Sequence, residues 1–412
     1  MTSEARGLLD GIRVLDLTRV VAGPTCTRAL ADLGAEVFKI EPPNGDLLRK
    51  AVPRVGGVAV VFTQQNAGKH FLSIDLQCPG ATDLLLRMAA SCDVFVENFR
   101  GGVSDRMGIG YEHVRAHRPD VIYCSISGYG QTGPVAARRA YAPVVHAEAG
   151  LIHYKALQRD TDPMPEPVSH ADLAVGMQAA HGILAGLYHR ERTGEGTFID
   201  ACMAEAMVSA NEWSCAEVNG GVDWSQSIFR PGKAAIVQVA DGTWVQIPGS
   251  PAGVLPSLAR LSGREDILDD ARFDTLEHRN EHLEACQTAL SKLAATYPDF
   301  ESFERTLSEG VRLPSGRIIP LAEVADADWA VARGAFVDVP SGDRGDTVKI
   351  NRGSLRISNA WAGARGGGRA LGADNRDALR ALLTLDDGEL DRLEGEGILV
   401  SSEAAPETSP WS

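Results

Sequence analysis

Residues 11–41 read GIRVLDLTRVVAGPTCTRALADLGAEVFKIE. Ile12 to Leu17 is rich in β-branched and apolar residues, which fit a half-buried pleated strand. Ala22-Gly23-Pro24 breaks that run and places a proline where a helix can open. Thr25 to Leu33 then has helical composition, Gly34 stops it, and Glu36 to Glu41 gives a second strand. Strand, helix and strand in this order predict a parallel pair joined by a right-handed crossover, the start of a Rossmann-like α/β domain. The fingerprint G-x-G-x-x-G is absent, which disfavours a nicotinamide cofactor.

The pattern continues outward. Residues 66–77 (NAGKHFLSIDLQ) and 92–99 (CDVFVENF) each hold a strand, with an amphipathic helix over Ala81–Ser91 between them. Val121 to Ser127 is another buried strand and runs into the glycine-rich turn GYGQTGP. Loops at the carboxyl ends of parallel strands form the ligand crevice of an open α/β sheet. Residues 1–218 are expected to form the first part of a large domain, and 219–233 a linker. Residues 234–330 read as a smaller α+β domain opening on a hairpin about Asp241-Gly242. Its Pro248-Gly249-Ser250 segment could close over a site. Residues 331–400 return to the large domain, and 401–412 are a Ser/Pro/Glu tail of disordered composition.

Composition narrows the function. The 412 residues are 44% hydrophobic and 23% charged, with a formal net charge of −15. An acidic chain lacks the basic footprint of sequence-independent nucleic-acid binding. No apolar run is long enough to span a membrane, and residues 1–17 lack the basic and apolar regions of a signal peptide. A cytoplasmic location is the expectation. The seven cysteines are scattered without a C-x-x-C, as suits reduced thiols rather than disulfides or zinc.

Residues 167–206, PVSHADLAVGMQAAHGILAGLYHRERTGEGTFIDACMAEA, carry one acid at the mouth of a long helix over 172–190. By position alone Asp172 reads as the N-cap of that helix. Gly176, Ala179, Ala180, Gly182, Ala185 and Gly186 give the helix a small face, which predicts close packing in a core or at a subunit interface. Ser169 and His170 are chain neighbours of Asp172 and cannot converge on it as a triad. His181 and His189 lack the spaced partners of a metal site.

Taken together, GIRVLDLTRVVAGP, LADLGAEVFKIE, NAGKHFLSIDL, DVFVENFRGGVSDRMGIGYE, SISGYGQTGP, HRERTGEGTFIDACMAEA and VADADWAVARGAFVDV resemble the class III CoA-transferases of the formyl-CoA transferase and carnitine-CoA transferase type, relatives of the α-methylacyl-CoA racemases. The resemblance covers roughly residues 9–215 and 311–400. It implies an interlocked homodimer and no tightly bound cofactor, with acyl-CoA and a carboxylic acid as substrates. Asp172 falls on the family's catalytic aspartate. The coenzyme-contacting positions fall on Val20, Val21, Ile74, Asp75, Gln77, Asn98, Phe99, Arg100, Arg106, Arg139 and Tyr141. The arginines suit the phosphates of coenzyme A through charge-assisted hydrogen bonds. Lys69, Asp46 and Arg49 lie in family-like segments, where a structural role is equally open.

The chain departs from the family pattern at one place above all. Where members commonly have Tyr-Asp-x-x-x-Gln, it has Tyr141, Ala142 and His146, with Glu148 after them. This is expected to reshape the acyl pocket. The racemase branch moves an α-proton with a His/Asp pair, and its histidine falls on Tyr141. A transferase is therefore the first expectation, a racemase-like epimerase the second, and a non-catalytic coenzyme-ester binder the third.

Overall fold

The computed structural model describes residues 6–228, 230 and 232–401. Two residues of the expected linker, 229 and 231, and the expected tail from 402 on lie outside the described residues. The main elements of the first 150 residues are β1 (Arg13–Asp16), α1 (Ala22–Asp32), β2 (Glu36–Glu41), β3 (Lys69–Ser73), α2 (Ala81–Ala90), β4 (Val94–Glu97), β5 (Ile122–Ser127) and α3 (Ala142–Glu148), with shorter helices, Val60–Asn66 and Tyr111–His117 among them, on the β2–β3 and β4–β5 connections. Helix α5, numbered after α4 (Leu151–Arg159), spans His170–Thr193 and leads into β6 (Thr197–Cys202) and α6 (Met203–Ala210). The six strands form one sheet in the order β3-β2-β1-β4-β5-β6, every pair parallel. This is the strand order of dinucleotide-binding folds, and it reverses direction between β1 and β4.

A parallel sheet covered on both faces needs strands that are apolar throughout. Leu15 pairs in register with Phe38 and Phe95, and Phe95 with Tyr123, so one face stacks large side chains. The Phe95 and Tyr123 rings lie 4.9 Å apart and nearly parallel. That face packs on Leu84, Leu85 and Met88 of α2 and on Leu379 and Leu382 of the helix Asn375–Leu383. The exposed backbone of edge strand β3 is covered from the chain's end: Asp374 accepts from the N–H of Phe71 at 2.8 Å and Asn375 from that of Ser73 at 2.9 Å.

Several elements differ from expectation. Helix α1 begins at Ala22, with Pro24 in its third position, where no intrahelical partner is needed for its missing N–H. After β6, α6 ends at Ala210, and Ser214–Val218 is a separate short helix. The small face of α5 is used within the chain. A side chain at Gly176 would sit 2.5 Å from the Ala22 carbonyl oxygen, and one at Gly186 3.0 Å from Ile122 and Thr197 methyls. These glycines are thus explained by packing on α1 and on the sheet, without recourse to a second protomer.

The chain divides into two units, Met1–Ala149 with Glu166–Asn211 and Asp328–Ser412, and Gly150–Pro165 with Glu212–Ala327. The second holds a three-stranded antiparallel sheet, β9-β8-β7, from Ala235–Gln238 (β7), Trp244–Ile247 (β8) and Gly316–Arg317 (β9). Its core joins Val237 and Val245 to Leu255, Leu290 and Phe303 of three helices. Ser250, in the segment expected as a closing flap, is fully buried and caps the helix Pro251–Leu261 through Gly253 N–H at 3.3 Å. Among the described residues, no helix is long and apolar enough to cross a membrane.

Candidate active site

Four loops follow the carboxyl ends of β1, β3, β4 and β5, and they carry eleven of the twelve residues singled out by sequence: all but Asp172. Those after β1 and β4 flank the point where the strand order reverses. They are tied together: Asn98 Oδ1 accepts from Arg19 N–H at 2.9 Å, and Asn98 Nδ2 donates to the Arg19 carbonyl at 2.8 Å. The β4 loop is tied in turn to the β5 loop by Gly101 N–H to Ala136 O at 3.0 Å and Arg100 Nη1 to Ala137 O at 3.3 Å. The result is one continuous wall from Arg19 through Arg100 to Arg139. Arg19, Arg100, Arg106 and Arg139 are exposed and form no ion pair among the described residues. Arg19 lies over the Phe99 ring at 6.0 Å. Tyr141 is 60% exposed at the end of the same wall.

The β3 loop differs. Ile74 is buried in the core, and its N–H is spent on Glu41 O at 3.0 Å, so it offers a ligand little beyond position. Asp75 accepts from Gln77 N–H at 3.0 Å, which leaves Gln77 on the outside of a tight turn.

Asp172 is in the third position of α5, not its N-cap. Ser169 is the cap residue and makes no side-chain capping bond. The Asp172 carboxylate faces the backbone of Ala22 at the start of α1, which favours its charged form. Burial pushes the Asp172 carboxyl up to about 6, and the Ala22 N–H offsets only part of that rise. Two helix N-termini meet at this acid, and both favour its charged form. At neutral pH the group is ionised, half-buried and poorly hydrated, as a carboxylate nucleophile requires.

The first turn of α5 is capped from elsewhere. His146, buried in α3, accepts at Nε2 from the Ala171 N–H at 3.1 Å. A ring nitrogen accepts only when unprotonated, so this bond fixes the imidazole as neutral with its proton on Nδ1. His146 thus supports the acid's helix. Glu148 points the other way: it pairs with Arg138 at 2.6 Å and accepts from the Tyr129 hydroxyl. Ala142 is fully buried. Of the three positions expected to reshape the acyl pocket, His146 bears on Asp172 through Ala171, and Glu148 braces the glycine-rich turn.

Two features went unmarked in the sequence, the burial of Glu97 and the backbone conformation of Val20. Glu97, the last residue of β4, is buried, accepts from Ser125 Oγ at 2.5 Å and Phe99 N–H at 2.7 Å, and is pushed up by burial to about 7. Val20 has φ +68°, a conformation that a β-branched residue adopts at a cost of about 1–3 kcal/mol. Its support comes from a buried charge network. Asp16 holds Lys69 at 3.0 Å, and Lys39 holds Asp46 at 3.0 Å, all four side chains inaccessible. Burial raises the Asp16 carboxyl, but Lys69, Lys39 and the hydroxyls of Thr18 and Thr27 outweigh it and hold it below its ordinary value. Lys69→Met would strand a buried carboxylate. It is expected to lower unfolding free energy by about 3–5 kcal/mol in a urea titration. A shift in the midpoint no larger than that of an exposed substitution would show the pair to be dispensable.

A family model described as CoA-transferase family III matches residues 9–375. The chain belongs to CoA-transferase family III. It is 31% identical to a succinyl-CoA:glutarate CoA-transferase of Mus musculus, over 96% of this chain and 91% of that protein. It is 30% identical to a formyl-CoA:oxalate CoA-transferase of Streptomyces coelicolor, over 97% of this chain and 100% of that one. Among solved structures, a CAIB/BAIF family protein from Brucella suis superposes with a TM-score of 0.77 at 28% identity, covering 92% of this chain and all of that one. For this family III member, these relatives are CoA-transferases acting on different acid pairs, which supports CoA transfer as the general class and leaves the acyl groups open.

Proposed function

We propose that this protein transfers coenzyme A from an acyl-CoA thioester to a free carboxylic acid through covalent chemistry on Asp172. The observation that carries the reading is the half-buried Asp172 carboxylate, which faces the backbone of Ala22, the residue that follows the Val20–Val21 turn. An Asp172 oxygen attacks the thioester carbonyl, the C–S bond breaks, and an acyl-aspartyl anhydride forms with coenzyme A thiolate. The thiolate attacks the aspartyl carbonyl and expels the donor acid, leaving an aspartyl-CoA thioester. The acceptor carboxylate attacks that thioester, giving a second anhydride and thiolate. The thiolate then takes the acceptor's acyl carbon and frees Asp172. Holding the thiolate beside the anhydride supplies high effective molarity, and exclusion of water protects the anhydride. The Ala22 N–H, which favours the charged carboxylate, also suits a developing oxyanion on the aspartyl carbon.

Coenzyme A is a substrate in this scheme, and no tightly held cofactor takes part. Arg100, Arg106 and Arg139 along the wall supply phosphate donors, with Val20, Val21, Asp75, Gln77, Asn98, Phe99 and Tyr141 lining the path. An interlocked homodimer accords with the apolar side chains left exposed on and beside α5: Leu173, Met177, Tyr188 and Phe198.

The deciding experiment incubates the protein with acyl-CoAs, quenches, and digests. A mass increase on the Asp172 peptide, discharged by hydroxylamine, supports the transferase. Solvent deuterium entering the α-carbon without adduct or transfer supports the epimerase instead, and binding without either supports the non-catalytic reading. Because Asp172 must be ionised to attack, kcat/KM should hold steady above about pH 7 and fall roughly tenfold per unit below about pH 6. A profile flat down to pH 4.5 would rule out Asp172 as the titrating nucleophile.

A further inference from the structure

The turn Thr18–Val20 is fixed by side chains at every backbone group that the crevice does not use. Asp16 accepts from Thr18 N–H at 2.9 Å, and Lys39 Nζ donates to Thr18 O at 2.8 Å. Asn98 holds both the N–H and the carbonyl of Arg19. Asp46 accepts from Val20 N–H with both oxygens, each at 3.1 Å. Asp46 itself is fully buried; its Oδ2 is the partner of Lys39, and its Oδ1 also accepts from Leu48 N–H at 3.0 Å. One ion pair therefore grips both ends of the turn, Lys39 at the Thr18 carbonyl and Asp46 at the Val20 N–H. The residue between that grip and α1 is the one in the left-handed region, where a valine is rarely found. Strain of this kind persists only where its surroundings over-determine it, and it gathers at ligand clamps.

We propose that Asp46 is a positioning residue for coenzyme A: with Lys39 it holds Val20 left-handed and so aims the Val20–Val21 backbone into the crevice. The assignment rests on the reading of Val20 and Val21 as coenzyme contacts. It differs from a purely structural role in one respect. Glycine adopts φ near +68° without strain, so a turn carrying the substitution Val20→Gly no longer depends on Asp46 for its shape.

The test makes Asp46→Ala, which removes the acceptor of the Val20 N–H, in two backgrounds, wild type and Val20→Gly. Coenzyme A affinity is read by calorimetry, KM and kcat by turnover, and folding by thermal melt. With Val20 present, the substitution should weaken coenzyme A binding about tenfold, with KM rising far more than kcat falls. In the Val20→Gly background, the same substitution should change affinity less than about threefold, because the misplacement it causes is gone. Equal weakening in both backgrounds, or none with Val20, overturns the assignment. If Asp46→Ala melts below the assay temperature, Lys39→Met with Asp46→Leu removes both charges together and replaces it in the same comparison, with the same expectation. Wild-type protein that binds no coenzyme A overturns the coenzyme reading and this assignment together. Wild-type binding with no dependence on background overturns the role of Asp46 alone.

Discussion

Asp172→Asn should abolish transfer and make the protein more stable. Loss of the nucleophile is expected to lower kcat by about 10⁴-fold or more, since a residue that forms the covalent intermediate has no substitute nearby. The new acyl-CoA is quantified by chromatography, with Asp172→Ala as a second variant that cannot revert by deamidation. The stability gain follows from the same burial. The carboxyl is raised from 3.8 to about 6 in the fold. A raised acid means that the folded state disfavours the ionised form. That cost is fully present above about pH 6 and disappears as the pH falls below the unfolded value. Its ceiling at neutral pH is about 3 kcal/mol, and partial exposure brings the expected gain to about 1–3 kcal/mol. An amide keeps the size and shape of the side chain without the charge. Urea unfolding at pH 7.5 should therefore show Asp172→Asn more stable than wild type, with the difference shrinking toward pH 4. Transfer at wild-type rate in either variant would remove Asp172 from the chemistry. Equal stability at both pH values would mean that the carboxyl is not strained by its site.

The parallel αβ framework was legible because its signals are local. The apolar runs around Leu15, Phe38, Phe95 and Tyr123, each closed by a turn, dictate buried strands with little dependence on the rest of the chain. The order of those strands is not local information, and neither is the reversal between β1 and β4 that makes the Arg19–Asn98 tie possible. The same division holds at the site. Asp172 stood out as an acid at a helix mouth, and position alone suggested a cap. Its true partner, Ala22 N–H, lies 150 positions away, and the cap function is met by His146 from another helix. Nothing in the run Arg19-Val20-Val21 announces a left-handed valine, because Asp16, Lys39 and Asp46 impose that conformation from three separate segments. Where the chain leaves the family pattern, at His146 and Glu148, residue type alone suggested an altered acyl pocket. It did not announce what their hydrogen bonds show, a helix cap and a brace for the glycine-rich turn.

The close approach of α1 and α5 gives the second large effect. Asp172 and Gly176 are one turn apart on the same face, so what fixes one fixes the other. Gly176 has no room for a methyl group: a Cβ would lie 2.5 Å from the Ala22 carbonyl oxygen and 2.8 Å from Thr25 Cβ. The first of these atoms belongs to the backbone of the residue that Asp172 faces, and backbone cannot rotate away as a side chain can. Gly176→Ala must therefore push the helices apart by several tenths of an ångström or more, and Asp172 moves away from Ala22 with them. Overpacking of this kind costs about 1–3 kcal/mol of stability. Displacement of a nucleophile by about 1 Å costs on the order of 10²-fold in rate. The expected result is a folded, less stable protein with kcat lowered about 10²-fold and coenzyme A affinity nearly unchanged, because the Val20–Val21 turn is anchored to Asp16, Lys39 and Asp46 and not to α5. Gly186→Ala provides the comparison. Its obstacle, 3.0 Å away, is the methyl groups of Ile122 and Thr197, and its place on the helix is nearly three turns from Gly176. It should lower stability with little loss of kcat. Equal rate losses for the two substitutions would show that helix packing in general, not the Ala22–Gly176 crossing, controls the acid.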